Sequence, residues 1–494
     1  MAKWATLPAG EWLPDQPDLN NPGVLTATNV IAGPMGYLPV SASSNFSIAT
    51  NTTSSDYIRG GVALRDRDSQ VHIYAGDSSN LYEKTASGWA TVSVTANAYS
   101  GTATEEVWKF IPWGNTVIAS NYNNEPQQLD LGSTNFVVMA GSPPRFRYGG
   151  VVKDFVVAAN LNESSTAYPM RTRWSAFNNA NSWVFSQRLQ SDFQDFPDGG
   201  PITGFMGGEF GVYWQDSALR RMEYEGPPRI FRFDVVSRQH GCRFPGAICR
   251  YGNVFFYLSD EDFFMFDGFS PPQSLGAEKV VRYFLADVDE GYTARIGMAF
   301  NHKWRAICVA YPGSGNTGGH PNKLLIYSLT TKKWTIAEVE AGYPFNLLSE
   351  SYTLESLDSI SSSVDSLPYS LDSARWTAGK PFMGAFSRGN RIITFDGTPM
   401  NATVDTQEFR SEPGQRVEIT NVRPLVDGGT STVMIGTRES QTNSSSWSAV
   451  VSVNARGECN KIQSGRFARV RVMASGAWKH IQGADIFIRK AGRG

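Results

Sequence analysis

Short runs of β-branched and aromatic residues recur every 10 to 15 residues along this chain of 494. Examples lie at residues 71–74, 117–119, 155–157, 254–258 and 324–327. Clusters of Gly, Asn, Asp and Ser separate the runs, which is typical of strands joined by tight turns. One stretch, 278–285, has the spacing of a short helix instead. The sequence therefore predicts an all-β protein built almost entirely from antiparallel strands.

Several predicted hairpins carry two large apolar residues, seven positions apart across a polar turn. A hairpin of this length places both side chains on one face. Sheets this small cannot bury their own faces. When several of them pack side by side around an axis, as the blades of a propeller, the faces are buried between neighbours, and each blade takes ~40–50 residues. We therefore predict a β-propeller of six to eight blades, with two ordinary β-sandwiches as the alternative. The pairs are Tyr82 and Trp89, Leu129 and Phe136, and Tyr327 and Trp334, and a similar unit lies at 255–268.

The same patterns divide the chain into parts. Residues 1–40 are expected to form an extended N-terminal arm, and residues 41–399 the propeller. Within the propeller, a Ser- and Asp-rich segment at 338–373 repeats an apolar-Asp-Ser triplet at seven-residue intervals, and we expect it to be an exposed excursion. From residue 400 the strand pattern continues without aromatic hairpins. This change predicts a small C-terminal β-sandwich-like domain at 400–494.

The overall charge argues against several classes of function. Lys and Arg number 44 and Asp and Glu 46, giving a formal charge of −2, so a general nucleic-acid-binding protein is not expected. No run of ~18 apolar residues and no apolar N-terminal region is present, so we expect neither a membrane-spanning segment nor a signal peptide. The four dispersed cysteines are expected to be reduced core residues, as in a protein made in a cytosol.

Two segments nevertheless carry opposite charge excesses. Residues 338–372 contain seven carboxylates and no Lys or Arg, and residues 461–494 contain eight cations and one carboxylate. Solvated faces without a special role explain both segments. The functional interpretation is a pair of complementary patches on a head-to-tail interface that closes subunits into a ring.

No catalytic, cofactor-binding or metal-binding residue is predicted. The Gly-rich loop at 312–320 has Gly319-His320 where a phosphate-binding loop needs Lys followed by Ser or Thr, so it is expected to be a hairpin tip. The five histidines are scattered, and Cys242 and Cys249 are too far apart for a usual zinc site. The chain is therefore expected not to be an enzyme and to hold no cofactor.

Three weaker candidates are explained as well by ordinary structure. Asp192, Asp195 and Asp198 could supply the two carboxylates of a glycoside hydrolase, but Asp is also favoured in turns. The acidic clusters at 66–68 and 260–262 could bind Ca²⁺, but they lack the rest of a known calcium loop and are expected to be turns. Five tryptophans could stack on sugars, although core packing is the alternative. They are Trp4, Trp12, Trp113, Trp183 and Trp214.

Several segments, taken together and in order, resemble the tail hub or nozzle proteins of short-tailed bacteriophages, also called packaged-DNA-stabilisation proteins. The resemblance spans nearly the whole chain. It is carried by residues 29–31 with 36–39, 174–176 with Trp183, 267–280, the triplet repeat at 357–373, Arg423-Pro424, 465–467 and 469–471.

This resemblance implies a structural virion protein with a β-propeller core, made in the host cytoplasm and built into the tail. Six identical subunits would form a ring below the portal and adaptor rings, extend the DNA channel, retain and later conduct the genome, and dock tail fibres or spikes. The resemblance supplies no catalytic residue. An acidic wall would let DNA slide, so we expect the 338–372 segment to line the lumen, and reversing Asp358, Asp365 and Asp372 to impair ejection.

Two other functions remain open from the sequence. A virion-associated glycan hydrolase would rest on the Asp192–Asp198 cluster and the exposed aromatic residues. A glycan-binding or adaptor propeller would need aromatic residues at solvent-facing blade ends. The number of blades, the symmetry of the ring and the docking partners do not follow from the residues.

Overall fold

The computed structural model describes residues 3–46, 56–85, 88–100, 106–349, 380–410 and 414–491, and residues 361, 363 and 366. Most of the acidic segment, including Asp358, Asp365 and Asp372, lies outside the described residues, so its expected place along a lumen stays a prediction. The regular secondary structure of the described chain is almost entirely strand, as predicted. The helices are α1 (Val281–Asp287) and one 3₁₀ helix (Glu290–Arg295), the first within the stretch predicted to be helical.

Five strands precede the propeller blades. Four of them join the large C-terminal sheet described below, and β5 joins the last blade. The strands are β1 (Lys3–Pro8), β2 (Thr26–Thr28), β3 (Val30–Gly33), β4 (Gly36–Pro39) and β5 (Ser44–Asn45).

The next twenty strands form five separate antiparallel sheets of four strands, which we number blades 1 to 5. Each blade is a meander in which consecutive strands pair, and most of the turns between them are too short for a crossover. Blade 1 comprises β6 (Gly61–Arg65), β7 (Val71–Gly76), β8 (Leu81–Lys84) and β9 (Trp89–Thr91), and blade 2 comprises β10 (Lys109–Trp113), β11 (Thr116–Ser120), β12 (Gln127–Asp130) and β13 (Val137–Val138). Blade 3 comprises β14 (Arg145–Val152), β15 (Phe155–Glu163), β16 (Thr166–Trp174) and β17 (Asp192–Asp195). Blade 4 comprises β18 (Ile202–Met206), β19 (Gly211–Gln215), β20 (Leu219–Tyr224) and β21 (Phe231–Ser237), and blade 5 comprises β22 (Ile248–Tyr251), β23 (Val254–Leu258), β24 (Phe263–Phe266) and β25 (Gln273–Ser274).

Two further units complete the ring. The first is a meander that also begins the large C-terminal sheet, and we call it the shared blade. The second, blade 6, is a separate sheet whose fourth strand is β5, which precedes blade 1 in the chain. The shared blade comprises β26 (Gly297–Asn301), β27 (Ala306–Tyr311), β28 (Lys323–Ser328) and β29 (Trp334–Ala337), and blade 6 comprises β30 (Gly342–Leu348), β31 (Pro381–Phe386), β32 (Ile392–Thr394) and β5.

The blades are arranged around one axis. The first strand of blade 6 contacts the first strands of blade 1 and of the shared blade, and the first strands of blades 1, 2, 3 and 4 follow one another in the same way. The chain is thus a β-propeller of six separate blades with the shared blade in the remaining place, which confirms the predicted fold. The pairing of β5 with β32 joins the two ends of the propeller and closes the ring.

The core lies between adjacent blades. The predicted pairs behave as expected: Tyr82 and Trp89 lie in the cluster between blades 6 and 1, and Leu129 and Phe136 lie in the cluster between blades 1 and 2. Tyr327 pairs directly with Trp334, with ring centroids 4.8 Å apart. Each blade therefore buries its apolar face against its neighbour rather than within itself.

The C-terminal strands form a curled half-barrel sheet. Its two long central strands, β34 and β38, pair along their whole length, with irregular register near Gly428 and Gly429, which both have positive φ. These irregularities bend the sheet. The strands are β33 (Ala402–Asp405), β34 (Arg416–Arg438), β35 (Ser446–Trp447), β36 (Val451–Ser452), β37 (Cys459–Gly465) and β38 (Phe467–Ala491).

The curled sheet is continuous with the propeller. β2 pairs with β29 of the shared blade on one side and with β33 on the other, while β1 and β4 pair with β38. One hydrophobic cluster extends from the N-terminal strands through the shared blade to the C-terminal strands. The region predicted as a sandwich-like domain is thus a single curled sheet, and the predicted arm forms part of it.

Candidate functional site

The acidic cluster at 192–198 lies beside a cleft of about 550 Å³ at the outer edge of blades 3 and 4. Asp195 accepts two hydrogen bonds from Arg171, at 2.7 and 2.9 Å, and this pairing lowers the pKa of Asp195. Asp198 pairs with Arg238 and Arg220, and hydrogen bonding to Arg238 contributes most to lowering its pKa. A glycosidase acid needs a raised pKa, so neither carboxylate fits that role.

The other candidate ligand loops are held by internal hydrogen bonds. Asp66 accepts from the backbone N–H of Gln70 at 2.8 Å, as expected of a turn. Asp262 is buried and accepts from the backbone N–H of Phe263 at 2.7 Å and of Gly276 at 2.9 Å. These carboxylates thus stabilise turns. Among the described residues, no group of three or more His, Cys, Asp and Glu side chains could hold a metal ion.

The Gly-rich loop at 312–320 connects two strands of the shared blade, as predicted for a hairpin tip. The carboxylate of Asp287 accepts from the Ser314 hydroxyl at 2.7 Å and from the Lys323 ammonium at 2.7 and 2.8 Å. The backbone N–H of Gly313 donates to Asn322 at 2.8 Å. These polar groups of the loop are therefore already engaged by residues outside it.

The tryptophan and cysteine side chains are mainly structural. Trp12, Trp183 and Trp214 are buried, and Trp113 packs against a core cluster. Trp4 is half exposed, and the guanidinium of Arg423 lies over its ring. All four cysteines are buried and free, which confirms the expectation for them. No described helix is long and apolar enough to cross a membrane.

Many of the basic residues of the C-terminal segment pair within the chain. Arg471 donates to Asp405 at 2.6 and 2.7 Å, and Arg489 donates to Glu418 at 2.7 and 3.0 Å. Arg469 lies over the ring of Trp447. The charge excess seen along the sequence is therefore partly neutralised in the fold, which favours the interpretation without a special role.

One loop concentrates exposed apolar surface. Five of the sixteen large hydrophobic side chains that the described residues expose lie between residues 175 and 193, at the end of β16 and the start of β17. Val184 is 72% exposed and Phe185 is 63% exposed. We call this group the rim patch, and it comprises Phe177, Val184, Phe185, Leu189 and Phe193.

The rim patch is held on a rigid base. Trp183 is buried with Met139 of the preceding blade, and its indole N–H donates to the carbonyl of Ala180 at 2.7 Å. The indole N–H of Trp174 donates to the carbonyl of Gln190 at 2.8 Å. Exposed apolar side chains on an ordered base are typical of a protein contact surface.

A second site lies on the propeller axis. A cavity of about 810 Å³ is lined by the first strands of blades 2 to 6 and the shared blade and by segments next to them. Glycines line much of its wall because these strands approach closely: a Cβ on Gly207 would lie 2.1 Å from the carbonyl oxygen of Val151, and one on Gly246 1.9 Å from that of Ile296. The size is that of a small-molecule site.

The cavity wall is basic. Five cations and two carboxylates, Glu106 and Glu290, lie on it. Each cation comes from a different place around the ring: before β6, on β10, on β14, on β22 and at the end of the 3₁₀ helix. The cations are Arg59, Lys109, Arg147, Arg250 and Arg295.

The partners of these cations differ. Arg59 pairs with Asp56 at 2.8 Å, and Arg147 pairs with Glu106 at 2.7 Å. Arg250 donates to the backbone carbonyl oxygens of Gly252 at 2.7 Å and of Gly207 at 2.8 Å. Arg295 donates to a backbone carbonyl at 2.6 Å and lies over the ring of Tyr57.

Lys109 differs from the other four cations because its ammonium makes no hydrogen bond within the described part of the chain. Its ammonium lies 6.0 Å from the ring centre of Tyr148, and no ion pair joins it to another residue in the described part of the chain. Burial lowers the pKa of Lys109 to about 8. No sequence motif marks this site, because the cations lie tens of residues apart, each as a single charge in a strand or turn.

The chain matches no known family model and no curated protein. Among solved structures, it is similar to BamB from Moraxella catarrhalis, at 10% identity over 89% of this chain and 98% of that one, with a TM-score of 0.33. It is similar to YCF48 bound to D1 peptide, at 10% identity over 62% of this chain and 91% of that one, with a TM-score of 0.36. The extracellular domain of the hybrid two-component system BT4673 from B. thetaiotaomicron matches at 9% identity over 86% of this chain and 47% of that one, with a TM-score of 0.39.

Proposed function

We propose that this chain is a structural virion protein that assembles into a ring-shaped tail hub or nozzle. In this role it extends the DNA channel below the portal and adaptor, retains and later conducts the genome, and docks fibres or spikes. It acts as a scaffold and not as an enzyme. The rim patch is the observation that carries the proposal, because apolar side chains fixed on the outer edge of a stiff propeller suit a permanent contact between subunits.

The sequence resemblance to tail hub proteins supports the same role. A ring of identical subunits needs a heterologous contact, in which two different surfaces of the chain meet. The rim patch would supply one of these surfaces. The propeller provides rigidity, since each blade packs against both neighbours and β5 closes the ring of blades.

The first test is the assembly state of the purified chain. Native mass spectrometry and negative-stain microscopy are expected to show closed rings of six subunits, and co-purification is expected to recover portal-type proteins. The double variant Val184→Asp, Phe185→Asp should shift the rings to monomers, because it places two carboxylates in an apolar contact. Ile462→Asp is the control, since Ile462 is also exposed but lies on β37, away from the patch. A wild-type chain that stays monomeric at high concentration and binds no portal-type protein would contradict the proposal.

Glycan binding is the second candidate, and the cleft beside blades 3 and 4 favours it. The half-exposed Phe193 and the carboxylate of Asp192 line this cleft together. An aromatic ring next to a polar group can stack on a sugar and hydrogen bond to it. A glycan array with wild type and Phe193→Ala tests this candidate: loss of a wild-type signal in the variant supports it, and the absence of any signal rejects it.

A further inference from the structure

We infer that the axial cavity binds a small multivalent oxyanion, such as a phosphate ester or a polycarboxylate, between cations supplied by five parts of the ring. This site is separate from the rim patch and does not depend on the proposed assembly. It is also distinct from any DNA channel in a ring of subunits, because the cavity has the volume of a small-molecule site.

The charge balance of the wall is the first argument. Five cations face two carboxylates, and one of these, Glu106, is already paired with Arg147. The other, Glu290, is exposed to solvent. Cations held together in a confined space repel one another, and a bound anion relieves that repulsion. Because Arg59 is also paired, with Asp56, the wall keeps an excess of two positive charges, and such a site selects an anion with more than one charge.

The positioning of the cations is the second argument. Arg250 and Arg295 are held in place by backbone carbonyl oxygens and Arg295 also by an aromatic ring, so these side chains lose little freedom when an anion binds. Their charges remain available, because a carbonyl oxygen orients a guanidinium without neutralising it. Arginine suits this role because its planar fork can bind two oxygens of one group.

Lys109 is the third argument. Lys109 is a partly buried residue of β10 on the cavity wall, and its ammonium has no ion pair among the described residues. An ammonium removed from water without a partner is unfavourable, and an anion in the cavity would stabilise its charged form. The lowered pKa of Lys109 agrees with this environment.

The direct test is isothermal titration calorimetry of the full chain with two probes, inorganic pyrophosphate and citrate. We expect saturable binding of at least one of them at a stoichiometry of one per chain, and the stronger probe distinguishes phosphate from carboxylate ligands. Lys109→Met should weaken this binding about tenfold or more, since a hydrogen bond to a charged group contributes that much. Lys109→Arg should keep most of it. Lys479→Met is the matched control, because Lys479 is exposed on β38 and its loss changes the total charge equally.

A second measurement uses only the wild-type chain, so it remains decisive if Lys109→Met fails to fold. Lys109 is labelled with trinitrobenzenesulfonate and the labelled peptide is quantified by mass spectrometry. Pyrophosphate or citrate should slow labelling of Lys109 about fivefold or more and leave Lys479 unchanged, since a ligand at ten times its Kd covers most of the sites. Equal labelling of Lys109 with and without both probes would overturn the proposal. Binding that Lys109→Met and Lys479→Met weaken equally, or binding of duplex DNA at the same residues, would also overturn it.

Discussion

Trp108 packs between blades 1 and 2, and adding a single methyl group next to it should lower the stability of the propeller. Trp108 is fully buried between the two blades, and its indole N–H donates to the carbonyl of Asp77 at 2.8 Å. A Cβ on Gly76 would lie 2.4 Å from the Cδ1 atom of Trp108. The Gly76 backbone is in an ordinary conformation, so Gly76→Ala tests packing alone. Movement of the ring would break its hydrogen bond to Asp77 and its edge-on contact with Tyr99, whose ring centroid lies 4.9 Å away.

We expect Gly76→Ala to lower the free energy of unfolding by about 2 kcal/mol, the middle of the range for overpacking a core. With an unfolding entropy of about 2.1 cal/mol/K per residue, a 494-residue chain that unfolds as one unit would lose about 2 °C in Tm. Differential scanning calorimetry and urea unfolding measure this loss. Gly389→Ala is the control, since nothing but the Ser387 hydroxyl lies within 4.0 Å of its Cβ position.

A double-mutant cycle isolates the clash. Trp108→Leu removes the indole ring, so Gly76→Ala should cost at least about 1 kcal/mol less in that background than in the wild type. If Gly76→Ala is neutral, or if its cost is the same with Leu at position 108, then the ring does not lock the two blades and the reasoning is refuted.

Two further predictions concern charges. The Glu408 side chain is 1% exposed and accepts a hydrogen bond from Arg438 at 2.6 Å. In urea titrations, Glu408→Gln should lower the free energy of unfolding by about 3 kcal/mol. Glu418→Gln, which changes a more exposed ion pair, should lower it by less than about 1 kcal/mol. Burial opposes protonation of His72, but hydrogen bonds to Glu83 and a second carboxylate outweigh it and raise the His72 pKa. The stabilisation is therefore complete below about pH 6.5 and lost as pH rises through the raised value. The urea midpoint of the wild type should fall more between pH 6 and pH 9 than that of His72→Gln, and equal falls would contradict this.

The strands and their packing partners could be predicted because both depend on local sequence. In a tight hairpin, two apolar residues seven positions apart fall on opposite strands and on the same face of the sheet. That rule led to Tyr82 with Trp89 and to Tyr327 with Trp334, and each pair lies in a shared core. The predicted helix was found for the same reason, since α1 buries Val281 and Phe284 on one side.

The curled sheet could not be predicted in the same way. Its continuity with the propeller depends on β2, a strand of three residues that pairs with β29 and β33. Residues 28 and 336 are neighbours in the fold but are separated by most of the propeller along the chain. No periodicity within a window of ten or fifteen residues carries that information, because such pairing is decided by the closure of the whole ring.

The axial cavity is a consequence of the propeller geometry rather than of any motif. The first strand of every blade must approach the axis, and close approach favours glycine at positions such as Gly207 and Gly246. Arg250, on the first strand of blade 5, has a structural role, since it donates to the carbonyl oxygen of Gly207 next to blade 4. Lys109 lies on another of these first strands and has no ion pair among the described residues, so an apolar side chain there would fold with less desolvation. The presence of Lys109 on the axis is therefore better explained by a ligand that needs it than by the fold.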